Sequence, residues 1–453
     1  MSDASVPPGK SPLAKHDPDE VELLDLQARA FRFFSEHVDP VTGLVLDSTQ
    51  PNSPASIAAV GFALSSYPIG VERELMSHAV ALSHSLAAVR FFDEADQSGA
   101  IDGTGHRGFF YHFLHPRTGR RAWKSELSTI DTALLLAGML VASEYFSGGG
   151  AEERELRERV AAVQARIDWR WAQNGEEAIA LAWKPETGFS KYRWFGYNEA
   201  LLLYVLALAA PEHSVAPSAY AAWTSGFRWR RIYGHDVVYA GPLFIHQFSH
   251  IWLDLRGIQD RFMTDKKTDY FENSRRATYI QQEYAVRNPR RFDGYDESSW
   301  GFTASDGPGD RVVTVGGRER RFYGYKARGA PFGPDDGTLS PWAAVASLPF
   351  APDIVLPSIR RFKKVLAHRP STFGFYASFN PSYLRSDDGA GWVSPWHFAL
   401  NQGPIVSMIE NYLTGLVWRL MRQCPSIRLG LERAGFRDGW LMTKDADESR
   451  RPA

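Results

Sequence analysis

Apolar residues recur at helical spacing in segment after segment between residues 20 and 434, and that repetition leaves few folds open. Residues 20–37 carry Leu23, Leu24, Leu26, Ala30, Phe33 and Phe34 on one face. Further helices are expected at 54–66 (stopping at Pro68), 71–91, 125–146, 152–172, 198–209, 242–255, 271–286, 338–347, 353–367, 401–424 and 427–434. Strands are few: residues 312–315 and 320–324 flank Gly316 and Gly317 as a hairpin, and 108–114 and 374–379 are short strands or aromatic loops. About twelve helices at roughly 36 residues each leave long connections, which in a compact domain usually carry function. Many buried helices with long loops at their ends suit an all-α, (α/α)6 toroid barrel. A helical solenoid would show a clearer repeat period.

Composition narrows the function. With 51 Lys+Arg against 52 Asp+Glu, the net charge is −1, which gives no general attraction to nucleic acid or to a membrane surface. No apolar run is long enough to span a bilayer. The single cysteine, Cys424, excludes an internal disulfide and a multi-cysteine zinc site. Aromatic residues make up 13% of the chain, with 14 Trp, and flat apolar faces without a basic excess favour sugars over bases as partners. Residues 1–19 read as a disordered tail with no secretory signal, 20–440 as a single domain and 441–453 as a second tail, so a cytoplasmic location is expected.

Two familiar patterns fail their context tests. Gly103-Thr-Gly-His-Arg-Gly108 fits a dinucleotide fingerprint, but it neither follows a strand nor opens a helix. His246-Gln-Phe-Ser-His250 resembles a zinc-protease motif, but Gln247 stands where the base should be and no third ligand is evident. Both histidines are expected to line or support a site through hydrogen bonds, without a metal or other cofactor.

The carboxylates carry more. Ser128 and Asp131 match a capping box, and Glu126 lies just before it beside Trp123. Asn198 is a good N-cap, which would leave Glu199 as a dipole-facing residue at the first helical position. Trp194, Phe195 and Tyr197 could instead wall a pocket and raise the pKa of Glu199, as a general acid at neutral pH requires. Glu297 with Trp300, Asp306, Asp336 with Trp342, and Trp396 with His397, Asn401 and Gln402 repeat the association of carboxylate or amide with an aromatic ring. Five such loops are the make-up expected of a carbohydrate cleft.

At these residues the sequence resembles the glucoamylase-like bacterial proteins that include glycoside hydrolase family 144, the β-1,2-glucanases, and the related barrel of cyclic β-1,2-glucan synthases. The resemblance rests on segments 40–48, 125–138, 196–200, 246–252, 299–308, 334–338 and 394–398, and covers about residues 20–440. It implies an (α/α)6 barrel, a β-glucan substrate and carboxylate chemistry without metal; the export common in the family makes the periplasm the second choice of location. Glu199 is the first candidate acid, with Glu126 and Asp131 as competitors, and the base is Asp306, Asp336 or Glu297, or acts through a water relay. A transglycosylase or a non-catalytic glycan-binding barrel are the alternatives.

Overall fold

A computed structural model describes residues 17–384 and 386–442. The expected tails at 1–19 and 441–453 lie almost wholly outside the described residues.

The helices alternate between an outer and an inner ring. Pro18–Glu36, His78–Glu94, Ala151–Arg166, Pro217–Ser225, Tyr270–Arg287 and Pro352–Val365 form the outer ring. Ile57–Glu72, Thr129–Tyr145, Leu201–Ala209, Phe248–Trp252, Pro341–Val345 and Ala399–Leu413 form the inner one. Sequence pattern explains the division. Every residue from Ile57 to Gly70 and from Leu201 to Ala209 is buried, whereas Ala151–Arg166 buries only Leu156, Val160, Val163 and Gln164 and turns its charges to water. The result is the expected (α/α)6 barrel, followed by Leu416–Gln423 and Pro425–Arg433.

Helices Ile57–Glu72 and Thr129–Tyr145 meet backbone to backbone. A Cβ on Gly138 would lie 2.1 Å from the Gly61 carbonyl oxygen, and one on Gly61 2.3 Å from that of Leu134. Gly138→Ala is therefore expected to destabilise the fold by about 1–3 kcal/mol, the usual cost of overpacking, read as a lower melting temperature. Ala399–Leu413 packs on Ile57–Glu72 and closes the ring. There Arg73 pairs with buried Glu410 at 2.8 Å, and Gln27 donates to the same carboxylate at 3.0 Å.

Several boundaries differ from expectation. Ile57–Glu72 runs through Pro68 instead of stopping at it, because burial on all sides outweighs the missing N–H. The helix expected at 401–424 is broken at Gly415, which adopts a positive φ of 70°. Residues 242–255 form a 3-10 turn, Leu243–His246, and a short helix, Phe248–Trp252, so His246 and His250 do not share one regular helix face. The Arg311–Val315/Arg318–Phe322 hairpin forms as expected, with both turn glycines at positive φ. A five-stranded antiparallel sheet was not anticipated. It joins Gly105–His106, Phe109–Tyr111, Leu127–Ser128, Ala182–Lys184 and Gly188–Phe189 in that order. Its strands of two or three residues are too short to show alternation. The Gly103–Gly108 pattern enters its first turn, with Arg107 and Gly108 at positive φ.

No helix among the described residues is long and apolar enough to cross a membrane.

Candidate active site

The N-terminal ends of the inner helices gather at one end of the barrel, and the segments leading into them supply the site. Two cavities open there, of about 400 Å³ and 170 Å³, and Ile130 and Asp131 line both. The larger is bounded by His112, Glu126, Trp183, Lys184, Ser190 and Trp194. The smaller is bounded by Glu199, Phe244, Phe248, Tyr325, Trp342 and Asn401. Together they make a cleft with aromatic walls and carboxylates along its floor.

Asp131 occupies the junction because Ser128 caps Thr129–Tyr145, accepting from the Asp131 N–H at 3.2 Å. The expected cap is present, yet the Asp131 carboxylate is not consumed by it. It accepts from the Ser128 hydroxyl at 2.5 Å and lies 3.6 Å from His112 Nε2. His112 Nδ1 lies 3.0 Å from Glu126 Oε1, fixed by the strand pairing in which the His112 N–H donates to the Glu126 carbonyl. Burial opposes the His112 cation, but Asp131, Glu126 and Asp47 overcome it and push its pKa up to about 9. The hydrogen bond to His112 holds Glu126 down at about 2. Asp47 is buried and pushed up to about 6, chiefly by burial, with His112 opposing and Asp131 adding to the rise.

Glu199 shares the smaller cavity with Asp131. The helix begins at Leu201, two residues later than expected, and Asn198 Oδ1 accepts from the Ala200 N–H at 3.2 Å and from Trp223 Nε1 at 2.9 Å. Glu199 is therefore neither the cap nor the first helical residue. It sits in the turn, partly open to the cleft, with its carbonyl fixed by the Ser249 hydroxyl at 3.0 Å. Burial, with the charge of Asp131 adding to it, pushes its pKa up to about 7, while its own backbone N–H opposes. One carboxyl poised near neutrality thus faces another across a small aromatic chamber. Tyr325, on the loop after the exposed hairpin, bounds the smaller cavity although it is 67% exposed, and its hydroxyl is held above its ordinary value beside Asp47, Asp131 and Glu199.

The remaining candidates divide. Trp194 lines the larger cavity and donates through Nε1 to Thr129 Oγ1 at 2.9 Å. Tyr197 packs behind Glu199, 5.1 Å from the His246 ring. His246 is buried, its Nε2 3.2 Å from the Ala240 carbonyl, and His250 is buried 3.0 Å from the Ser274 hydroxyl. Burial pushes them down to about 4 and about 3, so both are neutral supports behind the cleft. Asp306 is half-buried and accepts from the Ser394 hydroxyl at 2.7 Å, one residue beyond the strand Ala304–Ser305 that pairs with Lys326–Ala327 next to Tyr325. Trp396 is half-buried on the segment leading to Asn401. His397 is buried with Nε2 2.7 Å from the Ser371 hydroxyl.

Asp306, Trp396 and His397 line neither cavity, and four further candidates lie elsewhere as well. Asp336, expected as a base, is fully buried in a two-point pair with Arg328, at 2.7 and 2.8 Å. Trp300 is fully buried in the core. Gln402 is fully buried, donating to the Phe375 carbonyl at 3.2 Å. Glu297 is exposed on a turn that lines neither cavity. Conversely, Asp47, His112 and Tyr325 were not singled out from sequence, although Asp47 lies inside the segment 40–48. Among the described residues, no group of three or more His, Cys, Asp or Glu side chains is placed to hold a metal ion.

The chain is thus a helical toroid with an aromatic-walled, carboxylate-bearing cleft at the starts of its inner helices. The family model described as "Putative glucoamylase" matches residues 191–425, and the chain belongs to that family. It is 28% identical over 448 residues to an exo β-1,2-glucooligosaccharide sophorohydrolase (non-reducing end) of Parabacteroides distasonis, covering 91% of this chain. The chain spans 57% of that relative's length. Among solved structures it is similar to an endo-β-1,2-glucanase from Chitinophaga pinensis, in complex with sophorotriose and glucose, with a TM-score of 0.79, 26% identity and coverage of 93% and 99% of the two chains. A β-1,2-glucanase from Parabacteroides distasonis superposes with a TM-score of 0.81 and 25% identity, over 92% of this chain and 60% of that one.

Proposed function

We propose that this protein is a glycoside hydrolase that cleaves β-1,2-linked glucan, with Glu199 as the general acid. The observation that carries the reading is the placement of Glu199: a carboxyl with a pKa of about 7, partly open to an aromatic chamber that Asp131 also lines. Glycoside cleavage needs a proton for the leaving oxygen and a second carboxylate across the sugar, and a group that titrates near the working pH can give and regain that proton. Asp131 is the carboxylate opposite, and His112 orders it together with Glu126. The linkage is taken from the relatives, three of which are described as acting on β-1,2-glucans or their oligosaccharides.

Incubation of the purified protein with glucans of defined linkage tests this. Short oligosaccharides are expected from β-1,2-glucan and none from β-1,3- or β-1,4-glucan. No turnover of β-1,2-glucan would refute the reading, and products longer than the substrate would make the protein a transferase instead.

A further inference from the structure

Residues Ala122–Ser125 form a tight turn immediately outside the larger cavity, closed by the Ser125 N–H donating to the Ala122 carbonyl at 3.0 Å. Its two central residues, Trp123 and Lys124, both have positive φ, 54° and 48°. Glycine or asparagine normally fills such positions, and a bulky residue there is strained. Strain of this kind persists only where the surroundings over-determine it. Here they do. The Lys124 carbonyl accepts from Arg121 Nη2 at 3.0 Å and from Lys184 Nζ at 3.1 Å, and Arg121 is locked by two bonds to Glu186, at 2.7 and 3.1 Å. The clamp holds out an indole that is 64% exposed. One side of that ring packs on Phe113, centroids 5.0 Å apart, and Phe113 stacks on His112 of the site at 3.9 Å.

A large apolar face fixed in water at the edge of a cleft invites a ligand that continues out of it. We infer that Trp123 is a sugar-stacking platform beyond the cleft, on which a further glucosyl unit of a bound β-1,2-glucan rests, so that the protein grips chains longer than the cleft itself holds. This rests on the hydrolase reading for its substrate. The occupant follows from continuity, since Lys184 both lines the cavity and bonds the turn, and from the match between an indole face and the apolar face of a pyranose ring.

The test compares wild type, Trp123→Ala and Trp123→Phe on sophorotriose and on long-chain β-1,2-glucan. Trp123→Ala is expected to lower kcat/KM on the long glucan about tenfold more than on sophorotriose, mostly through KM, as the loss of one buried apolar contact implies. Trp123→Phe should recover most of the difference, and the melting temperature should stay close to wild type. A long-to-short ratio equal to wild type would overturn the platform, as would a loss explained by a lowered melting temperature. If the wild type turns over neither glucan, the hydrolase reading falls. Calorimetric titration of the same two glucans then decides the platform, and an unaltered affinity ratio in Trp123→Ala overturns it.

Discussion

Glu199→Gln should lower kcat on β-1,2-glucan by about 10²–10⁴-fold, the usual contribution of a general acid, while substrate binding survives because the aromatic walls are untouched. An activated aryl glycoside, if accepted, should show a much smaller loss, since its leaving group hardly needs the proton. The same variant makes an opposite prediction for stability. The folded-state pKa of Glu199 is raised from 4.5 to about 7. Below about pH 4 the carboxyl is protonated in both folded and unfolded chains and costs nothing. As pH rises through 4.5 the unfolded chain ionises first, so stability falls until about pH 7, where the folded chain ionises too. Glutamine removes that penalty. Glu199→Gln should therefore melt at a higher temperature than wild type at pH 8, and the gap should close toward pH 4. A dipole-facing residue would behave otherwise, with nearly normal kcat and a lower melting temperature. In wild type, activity should fall as pH rises through about 7 as the acid loses its proton.

His112→Gln should have the next largest effect. His112 is a cation up to about pH 9, hydrogen-bonded to Glu126 and close to Asp131. Glutamine keeps a donor but not the charge, leaving Asp47, Glu126 and Asp131 crowded without a counter-ion. A fall in kcat of about 10²-fold is expected, the size seen when a preorganised electrostatic partner is removed. Glu126 should titrate at higher pH than in wild type, since it loses the partner that holds it down at about 2, and an NMR titration of its carboxyl reads the change. A purely structural histidine would lower stability and leave kcat nearly unchanged. The sign for stability follows from the raised pKa: the stabilisation by His112 is fully present below about pH 6.5 and is lost as pH rises through about 9. The wild-type advantage over His112→Gln should therefore be largest in mild acid and shrink above pH 9.

Much of this was legible in the sequence, and for identifiable reasons. Apolar runs such as Leu201–Ala209, set between a capping residue and a proline, mark buried helices, so much of the helix order could be read from pattern. Glu199 stood out because three aromatic residues precede it within six positions. Asp47, His112 and Tyr325 did not, because what makes them interesting is their approach to Asp131 across 84, 19 and 194 residues of chain, and no local spacing encodes that. Asp336 showed the reverse. Its Asp-Gly loop looks like many cleft loops, but Arg328, only eight residues earlier, folds back to neutralise it in the core. The zinc-like pair His246 and His250 depended on a regular helix that Gln247 interrupts, with φ −119° and ψ −44° between a 3-10 turn and a short α-helix.

Closure of the ring by Ala399–Leu413 against Ile57–Glu72 bears on how the protein can be made. The Arg73–Glu410 pair joins residues 337 apart in sequence, so the entropy of a very long loop must be overcome before that contact forms. During synthesis the first inner helices emerge with one apolar flank uncovered, and they stay so until residues near 413 have left the ribosome. At about 5–20 residues per second, the 337 residues between Arg73 and Glu410 take roughly 17–67 seconds to appear, which sets a window of aggregation risk. Asn401 reaches the smaller cavity only at the end of that window, so the wall of the cleft should be completed late, and in one step, on a translating ribosome.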